Sequence, residues 1–178
     1  MKKNIKILFT FIFVLFFTNK VIACELFNIE PGSDLSSLYK IIGEVEIDFE
    51  GYEKESIFSV VLDNNAYCQN PELKYSTSHV YIHNKLITGI EIKGSEISKM
   101  DPSMPDNPIY NFLNGKYADI DKEVEAKDWT GVKQFPSGAN FILYAKLNNG
   151  HYILESALFT NEEYIYQTEG EEIIELQY

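Results

Sequence analysis

From Ser33 to Gly43, apolar residues fall at Leu35, Leu38, Tyr39 and Ile42. This i, i+3, i+4, i+7 pattern predicts a helix that buries one face, with Ser33 at its cap and Gly43 at its stop. An acidic segment, 44–54, leads to the apolar run Ile57 to Leu62, a strand closed by Asn64-Asn65. Residues 78–93 alternate about His83-Asn84-Lys85 and predict a hairpin. A three-residue loop gathers Val80, Ile82, Leu86, Thr88, Ile90 and Ile92 on one face and leaves His79, Tyr81, His83, Glu91 and Lys93 on the other. A two-residue loop would mix those faces.

The second half begins with Met100 to Pro108, a proline-rich linker. Asn107 stands at the cap of a second helix with Pro108 in its first turn; Ile109, Phe112 and Leu113 line one side before Gly115. Trp129 to Phe135 reads as a strand. Asn149-Gly150 is a two-residue hairpin signal, and pairing outward collects Phe141, Leu143, Ala145, Leu147, Tyr152, Leu154 and Leu158 as the buried face. Tyr144, Lys146, Ile153 and Glu155 fall opposite. Thr160 with Glu163 predicts a capping box for a short last helix, before an acidic tail. The order helix, strand, hairpin thus occurs twice. It predicts a single α+β domain over 24–178, an antiparallel sheet with helices packed on one face, and halves at 24–99 and 106–178 if the order is a pseudo-repeat.

Residues 1–23 lie outside that domain. A basic start to Lys6, an apolar stretch from Ile7 to Phe17, and Val21-Ile22-Ala23 before Cys24 make a signal peptide. Its uninterrupted apolar run is about 11 residues against the roughly 20 a spanning helix needs, so no transmembrane span is expected. The remainder is expected to be periplasmic or secreted. There, Cys24 and Cys68 predict one disulfide. Val-Ile-Ala-Cys also resembles the lipobox of bacterial lipoproteins. Lipid on Cys24 would attach the chain to the outer membrane and leave Cys68 a lone thiol.

Charge narrows the partners. All 15 basic residues are lysine, four of them before Cys24, which leaves 11 against 27 acids and a net charge of −16. Nucleic acid and anionic membrane surfaces are poor partners for such a chain, and a basic protein is a good one. No arginine is present to clamp phosphate or carboxylate. His79 and His83 have the i, i+4 spacing of helical zinc ligands, but on a strand they stand about 13 Å apart, so no metal is expected. Asp119, Asp121, Glu123 and Glu125 lack the glycine and final acid of a calcium loop. Ser37 and Lys40 match a Ser-x-x-Lys pattern without its partner motifs. The chain is expected not to be an enzyme and to use no cofactor.

On the predicted pairing, the solvent face of the two hairpins offers His79, Tyr81, His83, Tyr144, Lys146 and Glu155 as an aromatic and charged patch. Such a patch suits binding of another protein, most concretely inhibition of a basic extracytoplasmic hydrolase or immunity against one. Ile29-Glu30-Pro31-Gly32, Leu35, Leu38 and Ile42-Gly43 resemble the helix-opening motif of the small lipoprotein of the outer-membrane β-barrel assembly machinery; Glu44 stands where that family has proline. This resemblance implies an envelope scaffold instead of an inhibitor. The doubled helix-and-sheet architecture is similar to that of β-lactamase inhibitory proteins. A third reading is a small-ligand-binding protein with a tyrosine-lined cleft.

Overall fold

A computed structural model describes residues 24–43, 47, 56–68, 70–98, 106–117, 120–126 and 128–165, and the backbone of 173–177. The expected signal peptide, most of the acidic segment and of the linker, and Asp119 lie outside the described residues. In chain order the elements are β1 Ser33–Asp34, α1 Ser36–Ile42, β2 Ile57–Asp63, α2 Asn64–Tyr67, β3 Ser76–His83, β4 Leu86–Gly94 and β5 Ile97–Ser98. They continue with α3 Pro108–Lys116, β6 Gly131–Ser137, β7 Asn140–Asn148, β8 Tyr152–Thr160 and β9 Ile173–Gln177. Short 3₁₀ turns occupy Glu25–Asn28, Pro71–Leu73 and Lys122–Glu125.

The fold is α+β. One sheet runs in the order β6-β7-β8-β4-β3-β2-β9, with β1 beside β4 and β5 beside β8. Two meanders, β2-β3-β4 and β6-β7-β8, meet where β4 pairs antiparallel with β8. The acidic tail supplies β9, which pairs parallel with β2.

Several local expectations are corrected. α1 starts at Ser36, because Ser33 and Asp34 pair with Ile87 and Leu86 and the Asp34 carboxylate accepts from the Ser36 N–H. The β3–β4 turn has two residues, Asn84 and Lys85, both at positive φ (52° and 64°), the geometry that matches strand twist. A register shift at Tyr81/Ile82 then leaves Thr88 as an extra residue, so Val80 still faces Ile90 while Ile87, not Leu86, enters the core. In β7–β8 the first pair is Asn148 with Ile153; the Asn149 side chain accepts from the His151 and Tyr152 N–H groups and closes a longer turn than Asn149-Gly150 alone. Gly115 lies inside α3 instead of ending it. Thr160 belongs to β8, and Asn161 accepts from Glu163 and Tyr164 in its place.

Cross-strand pairs define the inner face. Phe135, Ile142, Phe159, Ile90, Val80 and Val60 form one continuous row, and Tyr144, Ala157, Ile92, Ser78 and Leu62 form the next. Leu26, Leu38, Ile109, Phe112 and Leu113 join them in one buried cluster. For the second hairpin this inverts the expectation: Tyr144, Lys146, Ile153 and Glu155 are inside. The grouping of residues into faces held, because the longer turn moves the register by two; of the face expected to be buried, only Phe141 and Leu158 are.

Cys24 and Cys68 form a disulfide that ties the 25–28 turn to the end of α2, 44 residues on; both are buried. Lipidation of Cys24 would need the same sulfur, so that alternative is not open to the disulfide form. Replacing both cysteines by serine is expected to cost about 4 kcal/mol, most of the stability of many domains. Urea denaturation of oxidised wild type and the double variant measures it; a loss below about 1 kcal/mol would show that the bond does little to restrict the unfolded chain.

Candidate interaction surface

The sheet separates the predicted patch instead of displaying it. Tyr144, Lys146 and Glu155 lie on the inner face, none more than 3% exposed. His79, Tyr81 and His83 lie on the other face, since His79 pairs with Glu91 and Glu91 with Leu158. There His79 and Tyr81 are buried as well, and only His83, at the turn, is half-buried. His79 Nδ1 is 3.3 Å from Ser59 Oγ and its Nε2 is 3.4 Å from Thr77 Oγ1. These residues therefore cannot form the proposed solvent-facing surface.

The inner trio does structural work. Glu155 Oε2 accepts from the Ile109 N–H at 3.2 Å, and Oε1 accepts from the Tyr110 N–H at 3.1 Å and the Tyr144 hydroxyl at 2.5 Å. A carboxylate from the sheet thus caps α3. Asn107, expected as the cap, sits in the left-handed region (φ 49°) and donates its amide to the Glu125 carbonyl. Lys146 Nζ donates to the Val124 and Ala126 carbonyls at 3.3 and 2.8 Å and holds the 122–125 turn down. Tyr144 is stacked on Trp129 (ring centroids 5.9 Å) and meets Tyr110 edge-on at 6.5 Å. Burial pushes the Glu155 carboxyl above the ordinary carboxylate range; the Tyr144, Tyr110 and Ile109 hydrogen bonds and the Lys146 charge oppose it without reversing it. Burial, with the Glu155 charge, also raises the Tyr144 phenol.

The surface that remains open includes Leu143, Ala145, Leu147 and Leu154, which the alternation assigns to the core. On the outer face Val132 pairs with Ala145, Ala145 with Ser156 and Ser156 with Lys93, while Leu147 pairs with Leu154. Val132, Leu147 and Leu154 are 69%, 46% and 36% exposed, and Leu143 and Ala145 are half-buried. A shallow groove of about 510 Å³ runs over Val132, Ala145, Leu147, Leu154, Ser156 and Lys93. A polar stripe borders it. Glu91 Oε2 accepts from the Tyr81 hydroxyl at 2.5 Å and lies 3.4 Å from Lys93 Nζ. Exposed aliphatic residues in two adjacent rows, flanked by fixed charges, make a contact surface.

Sequence reasoning missed this surface because aliphatic residues are more numerous there than on the inner face. One signal was available. Lys146 and Glu155 are a directly opposed cross-strand pair beside Tyr144, and α3 begins with free N–H groups that need an acceptor.

Among the described residues, no group of three or more His, Cys, Asp or Glu side chains could hold a metal ion, and no helix is long and apolar enough to cross a membrane. No protein-family model, curated protein or solved structure matches the chain.

Two outcomes separate supporting from displayed residues. Tyr144→Ala, which empties a fully buried site, is expected to cost about 3–5 kcal/mol, whereas Leu154→Ser stays within roughly 1 kcal/mol. Chemical denaturation checks both. The pH dependence follows from Glu155. Its folded value lies above its unfolded one, so its stabilising contribution is complete below the unfolded value and is lost as pH rises through the folded value. The stability difference between wild type and Glu155→Gln, which does not titrate, should therefore be largest near pH 4 and shrink towards neutral pH.

Proposed function

We propose that this chain is an exported, non-enzymatic protein-binding module that holds a basic extracytoplasmic protein against the open outer face of β6, β7 and β8, in its most concrete form as an inhibitor of a basic hydrolase. The observation that carries the reading is the uncovered aliphatic patch of Val132, Leu147 and Leu154, in two adjacent rows beside the Glu91–Lys93 pair. Burial of such a patch supplies affinity, and surrounding charge supplies rate and selectivity. Net charge after Cys24 is −16, from 11 lysines against 27 acids, which favours a basic partner over a second copy. The lipoprotein form of the envelope-scaffold alternative would need the Cys24 sulfur, which is in the disulfide.

Mature protein is tested against a panel of purified basic hydrolases, by calorimetry and by activity, at low and raised salt. Wild type should bind and inhibit one of them with an on-rate that falls as salt rises. Leu147→Ser/Leu154→Ser should lose at least tenfold in affinity, and Glu72→Gln, away from the face, should lose nothing. Binding indifferent to the double variant would overturn the assignment of this face.

A further inference from the structure

The open face ends at β6, beyond which no strand lies among the described residues. The orientation of its backbone follows from the β6–β7 turn. Ser137 and Asn140 flank Gly138 (φ 65°) and Ala139, a two-residue turn, and so form its closing hydrogen-bonded pair. Alternation then directs the N–H and C=O groups of Phe135 and Lys133 towards β7 and those of Val132, Gln134 and Pro136 outward. Pro136, with no N–H to offer, stands at an outward position, as a strand-edge proline must.

Edges of this kind are ordinarily guarded by lysine or proline. Here Pro136 guards only one end. Lys133 turns to the inner face, where its Nζ bonds to Asp121 and, at 3.0 Å, to Glu123. Val132 and Gln134 therefore present two N–H and two C=O groups at an exposed edge.

We propose that β6 accepts an added antiparallel strand from the partner, and that this strand alternates cationic and aliphatic residues. The inference rests on the protein-binding reading and specifies how the partner is recognised. Side chains of an added strand alternate between the two faces. Those on the outer side extend the row of Val132 and Ala145 and are aliphatic. Those on the inner side lie beside Lys133 with Asp121 and Glu123, whose side chains are 47% and 68% exposed, one positive charge against two negative. That side selects lysine or arginine. A second copy of β6 fits less well, because it would set Lys133 against Lys133 in a self-pairing centred on that residue and join two strongly acidic chains.

The probe is an end-blocked hexapeptide alternating lysine and valine, added to oxidised mature protein at low salt and followed by amide exchange and NMR. In the free protein the Val132 and Gln134 amides should exchange fast and those of Lys133 and Phe135 slowly. Peptide should slow Val132 and Gln134 at least tenfold, while a block peptide of three lysines and three valines should not. Gln134→Pro removes an outward N–H and leaves the β7 bonds in place; it should abolish the effect with the thermal midpoint retained. No binding, or binding without slowing at these two amides, overturns the edge proposal without recourse to the variant. Partner binding lost in Leu147→Ser/Leu154→Ser but intact in Gln134→Pro also overturns it while sparing the face; partner binding intact in both overturns the two together.

Discussion

The Glu155 carboxylate accepts from two backbone amides at the start of α3 and from the Tyr144 hydroxyl, all out of contact with water. Those bonds lay α3 across β8 and so decide which side of the sheet is inside. Hydrogen bonds to a charged group contribute roughly 1.5–3 kcal/mol each, whereas taking a carboxylate out of water costs several. The two nearly cancel, and the raised Glu155 carboxyl agrees in sign with burial as the larger effect. What the arrangement supplies is position. With α3 fixed, Ile109, Phe112 and Leu113 enter the core, and Phe112 meets Phe27 at 5.3 Å in the turn that the disulfide anchors.

Lys146 extends the same logic with opposite sign. Its ammonium satisfies the Val124 and Ala126 carbonyls, which seats Val124 in the core and leaves Asp121 and Glu123 exposed above β6. One inner row of the sheet, Gly131, Lys146, Glu155, therefore organises both segments that cover this end. Among the described residues, the opposite face at the same end carries no such anchors, and Val132, Leu147 and Leu154 are exposed there.

How far the sequence could be read follows from what each signal measures. Alternation measures parity, and parity survived even where turns were misjudged: the Thr88 bulge restored the face of Ile90 and Ile92, and the two-residue shift in β7–β8 left Tyr144 and Glu155 together. Parity does not say which face is inside. The apolar count favoured Leu143, Leu147, Leu154 and Leu158, yet a helix that begins with free N–H groups was better served by the side bearing a carboxylate. Local caps were lost to tertiary partners for the same reason, Asn107 to the Glu125 carbonyl and Thr160 to that of Thr88. The tail strand was hidden because β9 pairs with β2, more than a hundred residues earlier. The disulfide was legible because the chain has two cysteines, which allow one pairing.

The disulfide closes a loop that contains α1 and β2 and nothing after Cys68. The meander β2-β3-β4 is thus stapled at one end, whereas β6-β7-β8 is held to the rest by the β4–β8 and β5–β8 ladders and the packing of α3. Opening those ladders would release the second meander as a unit while the first kept its cross-link. The half bearing the exposed aliphatic residues is therefore expected to be the more compliant one. It can adjust its twist to a bound surface, while the stapled half preserves the fold on which it is mounted.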